Sequence, residues 1–257
     1  MSEYNKEIQL GKILAREAGE IMLKYFNNHD VEFKIDRTPV TTADETINQL
    51  VIDRISQEFP DDGVLAEEGN AHENQSRMWV IDPIDGTIPY TYGLPISFFS
   101  LGFVIDGEVQ FGICYRPFDD MMYFGDGKTA TKNDEIIRVN QTASLNDAVF
   151  TACFHNNEKY KQSFEAVANI SAISRSSLSL MCVVAEAMLV AEGKIEIVTY
   201  PHSHPYDIAG LKPIVEGAGG KVTNVDGSDQ RYDKEINGAI ISNGKLHEQT
   251  VEYFKKS

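Results

Sequence analysis

A chain of 257 residues with 42% hydrophobic and 24% charged residues can bury a substantial core and has ordinary globular composition. Its formal net charge of −16, from 39 acidic against 23 basic side chains, argues against nucleic acid as a partner, because phosphate-backbone binding needs a basic face. Three scattered cysteines (Cys114, Cys153, Cys182) form no CxxC pair, no apolar run approaches the ~20 residues of a membrane span, and MSEYNKEIQLGK lacks a signal peptide's apolar core, so a soluble, cytoplasmic protein with no membrane partner is expected.

From Tyr4 to Phe26, Ile8, Leu10, Ile13, Leu14, Ala18, Ile21, Met22 and Tyr25 recur at spacings of three and four, which predicts an amphipathic helix. A second helix is expected from about Ala43, with Ile47, Leu50, Val51, Ile55 and Phe59 toward the core and Thr41 or Thr42 as N-cap. Pro60-Asp61-Asp62-Gly63 reads as a turn. The strand signals are VLAEEG, RMWVID, ISFFSLGFVI and EVQFGICYRP, the last two joined by Asp106-Gly107, a strong hairpin signal. MMYF and EIIRVN flank the loop GDGKTATKND. Helices are then expected at 159–170, 181–192 and 207–216, with a strand at KIEIVTY. The Gly217–Gly220 stretch reads as a helix stop, followed by strands at KVTNV and GAIIS and a final helix, LHEQTVEYFKK. This order predicts α+β layers with two sheets in one unit. A soft boundary near 140–146 would separate a 1–142 half, which carries most of the acidic candidates, from a 143–257 half.

WVIDPIDGT places Asp82 and Asp85 three apart, with Pro83 and Ile84 between them. Two like charges this close repel unless a cation lies between them or one keeps a proton. Pro83 stiffens the backbone, Gly86 permits close approach of a ligand, and Thr87 adds a hydroxyl. Oxygen donors on a rigid turn suit a hard cation such as Mg²⁺, although Asp, Pro and Gly also make plain solvated turns. Glu67 and Glu68 end another short strand, while Asp44 and Asp207 each open a helix, where an acidic residue is commonly a cap. Phosphatases with a covalent aspartate carry Asp-x-Asp-Gly-Thr; the two-residue gap here argues against that chemistry. His202 and His204 read as surface or pocket residues rather than a zinc pair. Ser176, Ser177 and Ser179 lack a GxSxG setting, and Cys153 with His155 has no evident base.

Taken in order, AEEG, WVIDPIDGT and YDIAG, with the Asp44 region ahead of them, resemble the inositol monophosphatase family of Mg²⁺-dependent, lithium-sensitive phosphatases over most of the chain. The resemblance implies a layered αβαβα sandwich of the inositol monophosphatase and fructose-1,6-bisphosphatase type, commonly a homodimer. It implies a phosphomonoesterase acting on a small phosphorylated metabolite through water activated by two or three Mg²⁺ ions. The metal ligands would be Glu67, Asp82, Asp85, Asp207 and the Ile84 carbonyl, with Glu68 as a supporting carboxylate. Asp44 and Thr87 would orient and deprotonate the water, and the backbone N–H groups of Gly86 and Thr87 would hold phosphate oxygens. Asp85, Asp207 and Tyr200 would border the substrate. The chain departs from the family in three places. RSSLSLMCVVAEA lacks a Gly-Ser/Thr-Ala element, Tyr200 stands where inositol-specific members carry glutamate, and Ile88-Pro89-Tyr90 follows DGT. These departures open the substrate to histidinol phosphate, fructose 1,6-bisphosphate or 3′-phosphoadenosine 5′-phosphate, with Tyr200, His202 and His204 favouring the first. A non-catalytic phospho-ligand sensor on the same fold is the alternative from another class.

Overall fold

The computed structural model describes residues 3–28, 30–33, 39–71, 75–152 and 161–256. Helix α1 (Asn5–Tyr25) buries Leu10, Leu14, Ala18 and Met22. Ile13, expected on this face, is exposed, because small residues hold the contact line instead. Gly11, Ala15 and Gly19 let the helix sit directly on the sheet, where a Cβ at Gly19 would stand 3.0 Å from Pro117 Cβ. A short antiparallel pair, β1 (Val31–Phe33) and β2 (Pro39–Thr41), leads into α2 (Thr42–Glu58), and Thr41 is its N-cap.

The larger sheet has seven strands in chain order. They are β3 (Gly63–Ala66), β4 (Arg77–Asp85), β5 (Phe98–Ile105), β6 (Glu108–Arg116), β7 (Met121–Gly125), β8 (Ala130–Lys132) and β9 (Glu135–Ile136), with α3 (Thr87–Thr91) between β4 and β5. Only β3 and β4 run parallel; the remaining pairs are antiparallel, as hairpin connections dictate. The second half contributes β10 (Val149–Ala152), α4 (Lys161–Ile173), β11 (Ser176–Leu178), α5 (Val183–Ala191), β12 (Ile197–Tyr200), α6 (Pro205–Ile208), α7 (Lys212–Gly217), β13 (Lys221–Thr223), β14 (Ala239–Ser242) and α8 (His247–Lys256). Its strands form a mixed sheet in the order β11-β10-β12-β14-β13.

Three apolar clusters define the layers. α1 and α2 cover one face of the large sheet around Leu14, Met22, Ile47, Trp79 and Phe103. α5 and α7 lie between the two sheets, among Phe98, Val184, Met188, Val198 and Ile214. α4 and α8 close the far side of the small sheet around Phe150, Ile170 and Leu246. The result is the expected αβαβα sandwich. No helix among the described residues is long and apolar enough to cross a membrane.

Where elements differ from expectation, the cause is local. A continuous 207–216 helix is broken into α6 and α7, because Pro213 has no N–H to return to Ala209. The helix expected from 181 begins at Val183, since Met181 adopts φ 55°. EIIRVN contributes only Glu135–Ile136 to a strand, and β1, β2, β8 and β11 are too short and polar to signal themselves. Gly102 and Gly112 face each other across β5 and β6. A Cβ on Gly102 would stand 2.7 Å from the Ala209 carbonyl carbon, and one on Gly112 would overlap the Gly210 oxygen. Glycine at both positions lets the α6–α7 corner rest on bare backbone, which brings Asp207 to the sheet that carries Asp82.

Candidate active site

On a regular strand, residues three apart point to opposite faces, and the sequence reads as a rigid turn that would carry Asp82 and Asp85 together. The structure brings them together differently. β4 runs on through Asp85, and its pairing with β5 steps from Asp82 opposite Ser100 to Asp85 opposite Phe98. Three residues advance on one strand against two on the other, which is a bulge, and the extra residue restores both carboxylates to the same face. Pro83, which cannot donate to the ladder, sits inside this irregularity. Gly86 then reverses the chain at φ 82° into α3. Its lack of a side chain also serves packing, since a Cβ there would lie 2.8 Å from Cys182 Cβ.

Among the described residues, Asp44, Asp82 and Asp85 take hydrogen bonds from neutral donors. Asp82 Oδ1 accepts the Ile84 N–H at 3.0 Å. Asp85 receives the start of α5: the Cys182 S–H on Oδ2 at 2.7 Å, the Val183 N–H on Oδ1 at 3.3 Å and the Val184 N–H on Oδ2 at 2.8 Å. These are otherwise orphan amides at a helix N-terminus, whose dipole favours an anion. Asp44 Oδ2 accepts both the N–H (2.9 Å) and the hydroxyl (2.5 Å) of Thr41, while Asp44 Oδ1 is buried without a hydrogen-bond partner. Asp207 Oδ2 accepts the His204 N–H at 2.5 Å. The Thr87 hydroxyl donates to the Ile84 carbonyl at 3.0 Å, and a carbonyl oxygen has a second lone pair to offer. Glu67 and Glu68 are half-buried in the turn after β3.

Electrostatics ties the group together. Burial pushes the Asp82 carboxyl well above the usual carboxylate range, and the charges of Glu67, Asp85, Asp207 and Asp44 push it further. Asp85 is raised too, chiefly by burial, against the opposing hydrogen bonds from Cys182 and Val184. Asp44 reaches about 7, because burial outweighs its Thr41 bonds and Glu67 and Glu68 add to the effect. Among the described residues, no three acidic, histidine or cysteine side chains stand close enough to hold an ion as placed. Asp85 and Asp207 also accept backbone N–H donors, which orient their carboxylates. The chemistry of the donor set still fits a hard cation. Several buried carboxylates share one field, one carries an unpartnered oxygen, and positive charge among them would relieve the mutual repulsion.

Tyr200 ends β12 and is half-buried, as is His202. His204 is exposed and does not form a zinc pair among the described residues; its Nδ1 lies 3.4 Å from Glu235 Oε2, and its ring stacks on Tyr206 at 5.1 Å and 20°. Ser176 and Ser177 lie on the exposed strand β11, with Ser179 just after it. Cys153 and His155 lie outside the described residues. Two site residues, Cys182 and Tyr206, and one residue buried beside them, Glu186, escaped the sequence. Tyr206 lies in the field of Asp207, Glu67, Asp82 and Glu68, and burial followed by those charges raises its phenol. Its only signal was adjacency to Asp207. Cys182 and Glu186 belong to RSSLSLMCVVAEA, visible beforehand only as a departure from the family.

The sequence profile of the inositol monophosphatase family matches residues 5–257. A fructose-1,6-bisphosphatase/inositol-1-monophosphatase of Thermotoga maritima is 32% identical over 243 residues, covering 93% of this chain and 92% of its own length. A histidinol-phosphatase of Chlorobaculum parvum is 31% identical over 249 residues, with 93% of each chain covered. Among solved structures, an IMPase of Thermotoga maritima superposes with a TM-score of 0.87 at 30% identity, covering 98% of this chain and 97% of that one.

Proposed function

The chain belongs to the inositol monophosphatase family and is a phosphoric monoester hydrolase, and we propose that it cleaves a small phosphorylated metabolite at the carboxylate cluster around Asp82, with Mg²⁺ as its cation. The family is generally metal-dependent and acts on small phosphorylated substrates. The observation that carries the proposal is Asp82 itself, a buried acid with one neutral donor in the field of four other carboxylates.

Glu67, Asp82, Asp85, Asp207 and the Ile84 carbonyl would hold two or three ions, with Glu68 in support. Bound there, Mg²⁺ supplies positive charge for the phosphate oxygens and the leaving alkoxide, and acidifies water. The chain's own residues do the rest. Thr41 fixes one oxygen of Asp44, and Oδ1 remains to take a proton from the attacking water. Burial raises Asp44 above an ordinary aspartate, which favours it as the proton acceptor. Thr87 commits its proton to the Ile84 carbonyl, so its oxygen is left to accept, which orients a donating water. The N–H groups of Gly86 and Thr87 hold phosphate oxygens, and Tyr200 borders the leaving group.

An inositol-phosphate-like substrate is the first reading. Histidinol phosphate is the second, supported by the 31% identity to a histidinol-phosphatase and by the His204–Tyr206 stack beside Glu235. A flat ring and an acid suit an imidazole and an ammonium group. Lithium sensitivity, a homodimer and a cytoplasmic location complete the proposal at family level. The test is turnover of inositol 1-phosphate, histidinol phosphate, fructose 1,6-bisphosphate and 3′-phosphoadenosine 5′-phosphate at equal concentration, with Mg²⁺ and with excess EDTA. We expect EDTA to abolish turnover, because the cation supplies the charge and the acidified water, with inositol 1-phosphate preferred. Turnover indifferent to chelator sinks the metal reading, and a preference for histidinol phosphate selects the second substrate.

A further inference from the structure

Glu186 is fully buried in α5 and has no part in the hydrolytic scheme. Its oxygens hold two separate pieces of chain: Oε1 accepts the Leu180 N–H at 2.6 Å, and Oε2 accepts the Thr151 hydroxyl of β10 at 2.9 Å. Burying a carboxylate is costly beside burying an apolar side chain, so the position needs a reason. The segment from Leu180 to the helix supplies one. Met181 is held at φ 55°, a left-handed conformation that residues with a side chain rarely adopt, and Cys182 returns to φ −148° as the N-cap of α5. This reversal turns the Cys182 S–H and the N–H groups of Val183 and Val184 onto Asp85. Leu180, the residue before the reversal, donates its N–H to Glu186, the fourth residue of the same helix.

We propose that Glu186 is a positioning residue: by clamping Leu180 and Thr151 it holds the 180–184 turn in the shape that presents three donors to Asp85. The inference rests on the reading of Asp85 as a metal ligand. It gives one side chain a link from the small sheet, through Thr151, to the end of β4 in the large one.

The test uses metal-free protein carrying Glu186→Ala or Glu186→Gln. Glutamine keeps an oxygen for the Leu180 N–H and offers its amide to the Thr151 oxygen, so it preserves the clamp without the charge. One readout needs neither metal nor substrate: alkylation of Cys182 by iodoacetamide, located by mass spectrometry. Cys182 is 1% exposed, so the wild-type thiol is shielded. The second is Mg²⁺ affinity by calorimetry. The alanine variant should alkylate Cys182 about tenfold faster and bind Mg²⁺ about tenfold more weakly, while glutamine stays within about threefold of wild type on both. Alanine unchanged on both, or glutamine failing as alanine does, overturns the proposal. Should alanine not fold, Glu186→Asp, too short to reach both donors, must shift in the same direction, and a wild-type-like aspartate variant overturns the proposal as well. A wild-type chain that binds no Mg²⁺ defeats the metal reading instead, and Cys182 alkylation still reports the clamp.

Discussion

At its first residue β4 carries Arg77, which donates from Nε to Asp62 Oδ1 at 2.7 Å and from Nη2 to Glu7 at 2.8 Å, while Trp79 donates its indole N–H to Asp62 Oδ2 at 2.9 Å. At its far end the same strand carries Asp82 and Asp85, whose donors are backbone amides and a thiol. Both ends bury acid. One end supplies the compensating charge from within the chain, and in doing so ties α1 and the turn before β3 to the sheet. The other brings further carboxylates into the same field, with neutral donors on Asp82 and Asp85, and suits a charge supplied from outside. The contrast separates acid used for folding from acid held for a ligand, and it can be broken by substitution.

The largest effect should come from crossing the two ends. Asp82→Asn should lower kcat/KM by a factor on the order of 100 or more with the fold intact, since it removes a ligand and also relieves like-charge repulsion. Asp62→Asn should do the reverse: turnover stays within about threefold, while stability to urea falls by about 2 kcal/mol, the part-exposed Arg77 losing a partner. Equal activity loss in both variants would erase the distinction.

A smaller effect comes from pH. Asp44 is raised to about 7 in the folded chain, against 3.8 for an ordinary aspartate, so between those values the native state holds more protons than the unfolded one. Stability of the metal-free protein therefore falls as pH rises from about 4 to about 7, by up to about 1.4 kcal/mol per unit per such group. Urea unfolding at pH 5 and pH 7 without metal should show a loss of about 2 kcal/mol. Mg²⁺ should reverse it at pH 7. Stability that rises over this range without metal would contradict the assignment.

Much of the acidic end was legible because its information is local. WVIDPIDGT carries two proposed ligands, a stiffening proline, a reversing glycine and a hydroxyl within nine residues, and Thr41 with Asp44 spells a helix cap three residues apart. The layered fold was legible from the order of strands and helices. What could not be read depends on pairing between distant segments. The bulge that sets Asp82 and Asp85 on one face exists only in the register of β4 against β5. The arrival of Asp207 depends on Gly102 and Gly112, which look like ordinary strand glycines until the α6–α7 corner rests on them. Cys182 resembles a core residue and Glu186 a helix surface residue, because nothing local shows that one faces Asp85 and the other is buried.

The central claim is that the buried carboxylates around Asp82 share one field so that a divalent cation can occupy them. Isothermal calorimetry of Mg²⁺ into the metal-free protein tests this most directly, run at pH 6 and pH 8.5 in buffers of different ionisation enthalpy. The account predicts saturable binding that releases protons at pH 6 and few at pH 8.5, with binding lost in Asp82→Asn. No saturable binding, or binding that Asp82→Asn leaves unchanged, would contradict it.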